Sequence, residues 1–107
     1  MARMLTRVDP TALITEKAFQ QAVMDQAKLD GWLGFHPWTS IHSPAGFPDC
    51  CFVRGPRLIL AELKTEKGKL TPAQREWRDR LSDVPVIEYY LWRPSDWTAI
   101  IATLARP

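Results

Sequence analysis

The sequence has few of the residues that build disulfides and zinc sites, with two cysteines and two histidines in 107 residues. Cys50 and Cys51 are adjacent, and neighbouring strand residues point to opposite faces of a sheet. The pair is therefore unsuited to a shared disulfide or a shared metal ion. Neither His36 nor His42 has a cysteine or histidine at zinc-ligand spacing, which argues against a zinc site.

Long apolar runs, repeats and low-complexity segments are also missing. No apolar stretch approaches the roughly 20 residues that a membrane span requires. The N-terminus has no basic head followed by an apolar segment, so we expect no signal peptide and a cytoplasmic location. Since no linker composition interrupts the chain, we expect one domain over residues 1–107, with residues 1–14 as an irregular lead-in.

Charge is unevenly distributed along the chain. The net charge is only +2, yet residues 54–80 contain eight basic and four acidic side chains. A basic face of this kind suits a polyanion such as nucleic acid. A solvated helix surface would have the same composition, so charge alone does not decide between the two interpretations.

Capping and breaking residues predict three helices. A helical apolar pattern follows the N-cap candidate Thr15 and ends at Gly31. A second helix follows Thr71, with Pro72 at its first position. A short C-terminal helix is expected to begin after Ser95 as its cap.

Strand patterns occupy the space between these helices. A short aromatic strand is expected within residues 32–42, and two apolar strands over 48–53 and 58–64 flank a turn. A last strand is expected in VPVIEYYLWRP, residues 84–94. The order α-β-β-β-α-β-α predicts an α/β fold in which helices pack on a small mixed sheet.

The central hairpin brings acidic residues together. With RGPR as a four-residue loop, three pairs would face one side of the sheet: Val53 with Leu58, Cys51 with Leu60, and Asp49 with Glu62. Two carboxylates whose Cβ atoms lie about 5 Å apart repel each other unless a cation lies between them.

This arrangement suits a hard divalent cation such as Mg²⁺ or Mn²⁺. Lys64, one step beyond Glu62 on the same face, could position a water molecule or offset charge on a phosphate, as phosphodiester hydrolysis requires. The alternative is a solvent-facing strand end whose acids pair with Lys64. A register slip of one residue would separate the carboxylates.

The residues around the hairpin carry a family resemblance. The Pro-Asp at residues 48–49 and the Glu-Leu-Lys at 62–64 together resemble the PD-(D/E)XK nuclease signature. The segments GFPDCCFV, AELKTEKGKLTPAQREW, EKAFQ and LWRPSDWTAII are similar to the VRR-NUC branch, small endonucleases of phage, bacterial and eukaryotic origin. The similarity extends from about residue 15 to residue 104.

The resemblance implies a restriction-endonuclease-like fold and metal-dependent DNA cleavage in a bacterial or phage-infected cell. It implies Asp49 and Glu62 as ligands of Mg²⁺ or Mn²⁺ and Lys64 as the catalytic lysine. Glu16 matches an acidic residue of the family's first helix that acts at the metal directly or through water. Gln74 matches the glutamine that follows the Glu-x-Lys strand.

Glu16 and Gln74 each have a structural alternative. Glu16, in the first turn of its helix, would also complement the helix dipole. Gln74 would complete a capping box with Thr71. We expect that one side-chain conformation of Gln74 cannot serve both the cap and the active site.

Five side chains are candidate contacts to DNA phosphates: Lys67, Lys69, Arg75, Arg78 and His42. The four basic residues would serve equally well as solvated surface charges. His42 occupies a segment where relatives often carry an arginine, and the sequence leaves open whether it replaces that contact.

The leading hypothesis is a Mg²⁺- or Mn²⁺-dependent endodeoxyribonuclease, a hydrolase that acts on branched DNA such as four-way junctions and functions as a homodimer. Two symmetric sites would serve an enzyme that must cut two strands. The alternatives are a non-catalytic DNA-binding or interaction module that retains the nuclease fold, and a generic α/β domain with ion-paired hairpin charges. Divalent-metal binding that Asp49→Asn abolishes would distinguish the first from the other two.

Overall fold

A computed structural model of the chain describes residues 14–36 and 45–107. The described helices and strands are, in chain order, α1 (Glu16–Leu29), β1 (Leu33–Phe35), β2 (Cys50–Arg54), β3 (Arg57–Leu63), α2 (Pro72–Ser82), β4 (Ile87–Trp92) and α3 (Trp97–Ala105). A 3-10 turn over Pro94–Asp96 precedes α3. The predicted α/β order is confirmed, and nearly all of the predicted lead-in lies outside the described residues.

The four strands form one mixed sheet in the order β1-β2-β3-β4. The β1–β2 and β2–β3 pairs are antiparallel, whereas β3 and β4 run parallel and are connected through α2. The predicted hairpin register is confirmed, since Val53 pairs with Leu58 and Cys51 pairs with Leu60. Pairing on both sides makes β3 an interior strand, and its last five residues are all buried.

The two faces of the sheet have different partners. One face packs against α1 and α3 and holds the apolar core: Phe19, Val23, Ala27, Trp32, Cys50, Phe52, Ile59, Ala61, Leu63, Trp92, Ile100 and Leu104. The alternation of β3 turns Leu60 and Glu62 toward the opposite face, where α2 lies over β4. Cys50 is buried, Cys51 is half-buried, and neither forms a disulfide. The candidate acidic residue Glu62 therefore lies under α2 rather than under α1.

Local signals explain most helix boundaries. The Thr15 hydroxyl accepts a hydrogen bond from the Ala18 N–H at 3.1 Å, as its N-cap role requires. The chain leaves α1 through Gly31, whose φ of +85° is readily adopted by glycine. Within the described ranges, no helix is long and apolar enough to cross a membrane.

The predicted cap at Ser95 is wrong. The 3-10 turn shifts the cap of α3 to Asp96, whose carboxylate accepts from the Arg93 N–H at 2.9 Å. The Ser95 N–H instead donates to the Glu66 carboxylate at 2.6 Å. Proline at the first position of the 3-10 turn starts helical backbone at Pro94, two residues before the position at which a Ser95 cap would start it.

Two arginines of the hairpin hold the C-terminus of the chain. The guanidinium carbons of Arg54 and Arg57 lie 4.5 Å and 4.9 Å from the Trp32 ring centroid. Arg54 donates to the Leu104 carbonyl at 2.9 Å, and both arginines donate to the Arg106 carbonyl. These contacts bind carbonyl groups that the end of α3 leaves without helical partners.

Arg57 also forms a two-pronged ion pair with Glu88 of β4, with both N···O distances 2.7 Å. Its hydrogen bonds lower the pKa of Glu88 below the ordinary value. We expect Arg57→Ala to reduce the free energy of unfolding by about 2 kcal/mol, because a half-buried carboxylate loses a charged partner. Urea denaturation at neutral pH measures this loss.

The Arg80–Glu76 pair provides a matched control. Its side chains are 78% and 67% exposed, and its N···O distance is 3.2 Å. We expect Arg80→Ala to change the free energy of unfolding by less than about 0.5 kcal/mol. Equal losses in the two variants would contradict a structural role for the Arg57–Glu88 pair.

Candidate active site

Asp49 and Glu62 approach each other at the end of the hairpin. Cys50 pairs with Ala61, and one further step in this register places Asp49 beside Glu62. Asp49 lies just before β2, and its Oδ2 accepts a hydrogen bond from the Leu63 N–H at 2.8 Å. A backbone hydrogen bond therefore fixes one carboxylate next to the other.

Glu62 is a buried carboxylate with an incomplete set of partners. It is 2% exposed, and its Oε2 accepts from the Gln74 amide at 3.0 Å. Its Oε1 is buried without a hydrogen-bond donor. A buried acceptor without a donor is costly, so this oxygen is suited to a cation or to a proton of its own.

The surroundings of Glu62 favour its protonated form. Burial, followed by the charge of the neighbouring Asp49 carboxylate, raises the pKa of Glu62 from 4.5 to about 8. The ammonium group of Lys64, whose Nζ lies 4.0 Å from Glu62 Oε2, opposes this rise. The pair thus holds a proton near neutral pH, in a position where a divalent cation could replace it.

Gln74 performs two roles that we expected to be incompatible. Its Oε1 accepts from the Thr71 N–H at 2.9 Å, which completes the capping box. Its Nε2 donates to Glu62. The expectation that one conformation could not fill both roles is wrong, because the amide has an acceptor and a donor that reach in different directions. The start of α2 is thereby attached to the candidate site.

Lys64 follows the last residue of β3. Its backbone N–H donates to the Trp92 carbonyl at 3.0 Å, which extends the contact with β4 by one residue. The side chain is only 16% exposed, although lysine is usually a surface residue. Its ammonium group therefore lies at the edge of the carboxylate pair rather than in open solvent.

The turn before Asp49 is docked closely on α2. Gly46 has a φ of +81°, and a Cβ added there would lie 2.5 Å from the Ala73 carbonyl carbon. Trp77 holds the same turn, since its Nε1 donates to the Ala45 carbonyl at 3.0 Å and its ring lies edge-on to Phe47. Neither Gly46 nor Trp77 was predicted from the sequence as a support of the site. The available signal was the glycine two residues before Pro-Asp.

We expect Gly46→Ala to destabilise the protein more than Gly55→Ala, a matched control. Gly55 also has positive φ, at +58°, but a Cβ there would meet nothing within 4 Å. Both variants incur about 1 kcal/mol from the left-handed backbone, whereas Gly46→Ala adds a backbone clash of about 2 kcal/mol more. Chemical denaturation measures the difference, and equal losses would mean that the turn moves without resistance.

Glu16 occupies the first position of α1 and is exposed. Its charge helps to raise the pKa of Glu62, but it is the smallest of the contributing causes. Over residues 14–36 and 45–107, no group of three or more His, Cys, Asp or Glu side chains is arranged to hold a metal ion. The role of Glu16 at a metal therefore stays a prediction, and Asp49 and Glu62 form the close pair.

Four of the candidate DNA contacts flank the site: Lys67, Lys69, Arg75 and Arg78. The two lysines are exposed in the loop between β3 and α2. Arg75 donates to the Leu70 carbonyl at 2.8 Å, and Arg78 pairs with Asp79 at 2.9 Å. His42 lies outside the described residues, and all five DNA contacts stay predictions.

No protein-family model, curated protein or solved structure matches this chain.

Proposed function

We propose that the protein is a Mg²⁺- or Mn²⁺-dependent endodeoxyribonuclease. The observation that carries the proposal is the buried, donorless Oε1 of Glu62 beside the Asp49 carboxylate. A buried carboxylate beside a second, half-buried one is unfavourable in an ordinary structural domain, whereas a divalent cation would stabilise the pair. Mg²⁺ commonly binds through one or two carboxylates, with waters and substrate phosphates as further ligands.

Each residue of the site has a task in this proposal. Asp49 and Glu62 would hold the cation, which lowers the pKa of a water molecule and polarises a phosphate oxygen. Gln74 fixes the Glu62 carboxylate by its hydrogen bond, so that Oε1 keeps its direction. Lys64, whose Nζ lies 4.0 Å from Glu62, would bind the attacking water or offset charge that develops on the phosphate.

The substrate and assembly are part of the same proposal. The four-stranded mixed sheet and its three helices are compatible with the restriction-endonuclease-like fold, to which the VRR-NUC resemblance points. We propose branched DNA as the substrate and a homodimer as the active form, because two symmetric sites serve an enzyme that cuts two strands. The exposed lysines and arginines around α2 would contact phosphates.

The test is cleavage of labelled DNA in three forms: a four-way junction, a flap and linear duplex. Each is incubated with Mg²⁺, Mn²⁺ or EDTA, using the wild type and Lys64→Ala, with Arg80→Ala as a variant of an exposed ion pair distant in sequence from the Asp-Glu-Lys cluster. We expect cleavage that requires metal, is lost in Lys64→Ala and is retained in Arg80→Ala. Preference for the junction would support branched DNA as the substrate.

Metal binding is measured separately, by calorimetric titration of Mn²⁺ into the wild type and Asp49→Asn. We expect binding in the wild type and none in the variant. If the wild type binds DNA tightly in EDTA yet neither binds Mn²⁺ nor cuts any substrate, the nuclease proposal fails. The non-catalytic DNA-binding module would then be the better interpretation.

A further inference from the structure

The loop between β3 and α2 is gathered around one side chain from β4's C-terminal end. Arg93 Nη1 lies 2.7 Å from the Thr65 carbonyl oxygen, 2.7 Å from that of Gly68 and 3.3 Å from that of Glu66. Three backbone acceptors that would otherwise lack regular secondary-structure partners thus converge on one cationic nitrogen. Charge-assisted hydrogen bonds of this kind are stronger than neutral ones.

Two further contacts fix this arrangement. The Glu66 carboxylate accepts from the Ser95 N–H at 2.6 Å, which attaches the loop to the turn that follows Arg93. The Arg93 N–H donates to the Asp96 carboxylate at 2.9 Å, so the backbone that presents the guanidinium is itself held. The loop is therefore attached to the segment that follows β4 by side-chain and backbone contacts.

The same loop packs directly against the side chain of Lys64. A Cβ added at Gly68 would lie 3.3 Å from Lys64 Cδ and 3.1 Å from Thr65 Oγ1. Glycine at this position thus allows the loop to lie along the lysine stem. The Lys64 side chain starts at the end of β3 and lies against the loop at Gly68, which restricts where its ammonium group can lie.

We propose that Arg93 is a positioning residue for Lys64. By binding the carbonyls of residues 65–68, Arg93 holds the loop against the lysine stem and keeps Nζ at the carboxylate pair. The inference rests on the proposed function, since Lys64 is the residue whose position matters for cleavage. Arg93 acts through Lys64 and has no assigned contact with DNA, because its guanidinium is already engaged by the loop.

The first test uses Arg93→Lys, which retains the charge but lacks the planar guanidinium geometry. We expect kcat for DNA cleavage to fall by about 10- to 100-fold, as a small misplacement of a catalytic group does. DNA affinity in EDTA should change by less than about twofold, because no phosphate contact is lost. In a Lys64→Ala background the same change should cause no further loss, since both act on one group.

Gly68→Ala is the second variant, because it presses on the lysine stem without altering any charge. We expect Gly68→Ala to lower kcat, as Arg93→Lys does. Arg80→Lys, on the exposed face of α2, should leave kcat unchanged. Weakened DNA binding with unchanged kcat in Arg93→Lys would overturn the proposal in favour of a phosphate contact. Losses that add to that of Lys64→Ala would overturn it as well.

A readout without DNA separates this inference from the proposed function. We expect the ¹⁵N resonance of the Lys64 ammonium group, recorded at low temperature, to shift or broaden in Arg93→Lys and in Gly68→Ala. If the wild type proves inactive, the nuclease proposal fails while this change would still support positioning of Lys64. An unchanged Lys64 resonance together with a lower melting temperature would reduce Arg93 to a structural role and overturn the inference.

Discussion

Replacement of Glu62 with glutamine is expected to raise the melting temperature of the metal-free protein and to abolish the proposed cleavage of DNA. Glu62 is buried, and ionisation leaves its Oε1 without a donor and beside the charge of Asp49. Glutamine has similar size, can still accept from Gln74 and can donate toward Asp49. The neutral amide thus removes the repulsion and retains the packing.

The expected gain is about 1–2 kcal/mol at pH 8, which corresponds to a rise in melting temperature of about 5–10 °C for a domain of this size. If the proposed function holds, the expected loss of cleavage is at least about 100-fold, because removal of a metal ligand costs no less than removal of the groups that orient it. Scanning calorimetry in EDTA and cleavage with Mg²⁺ measure the two effects. Opposite signs in stability and activity are typical of a functional site.

Glu76→Gln provides the matched control, since the Glu76 side chain on α2 is 67% exposed and pairs with Arg80. We expect its melting temperature and cleavage to stay close to those of the wild type, within about 0.5 kcal/mol in stability. A fall in melting temperature for Glu62→Gln would contradict the prediction. It would mean that the Lys64–Glu62 ion pair stabilises the ionised carboxylate in the resting protein.

The geometry at the carboxylate pair was predictable because it depends on local rules. Arg54 also pairs with Arg57, so the loop is the two residues Gly55-Pro56 and not the four that we expected, but the register is the same. A tight turn fixes the register of a hairpin, and alternation along each strand then places Asp49, Glu62 and Lys64 on one face. The caps at Thr15 and Thr71 were equally local. For these residues the sequence neighbours supply most of the constraint.

The supports of the site could not be predicted in the same way, because they join distant parts of the chain. Trp77 reaches the Ala45 carbonyl across 32 positions, and Arg93 reaches Thr65 across 28. Such contacts depend on how α2 and β4 pack, which no periodic pattern encodes. Gln74 was misjudged for a related reason, since only the packed position of β3 brings Glu62 within reach of an amide that is already capping a helix.

The raised pKa of Glu62 would make the proposed metal binding dependent on pH. Between pH 4.5 and about 8 the folded protein holds a proton on Glu62 that the unfolded chain has already lost. Protonation therefore favours the folded state of the metal-free protein. This contribution to stability is fully present below pH 4.5 and is lost as pH rises through about 8.

Metal binding would have to displace the same proton. The affinity for the metal ion should therefore rise with pH, whereas the contribution of Glu62 protonation to stability falls. We expect the apparent Mn²⁺ affinity to rise about tenfold per pH unit from pH 6 to 8, with about one proton released per ion bound, and to level off above that range. Calorimetric titrations in two buffers of different ionisation enthalpy count the protons. Glu62→Gln should remove the proton release along with Mn²⁺ binding.

If the wild type binds Mn²⁺ at pH 7 without releasing a proton, Glu62 is already ionised in the folded protein. The carboxylate would then be stabilised by Lys64, and the expected rise of Mn²⁺ affinity with pH would disappear.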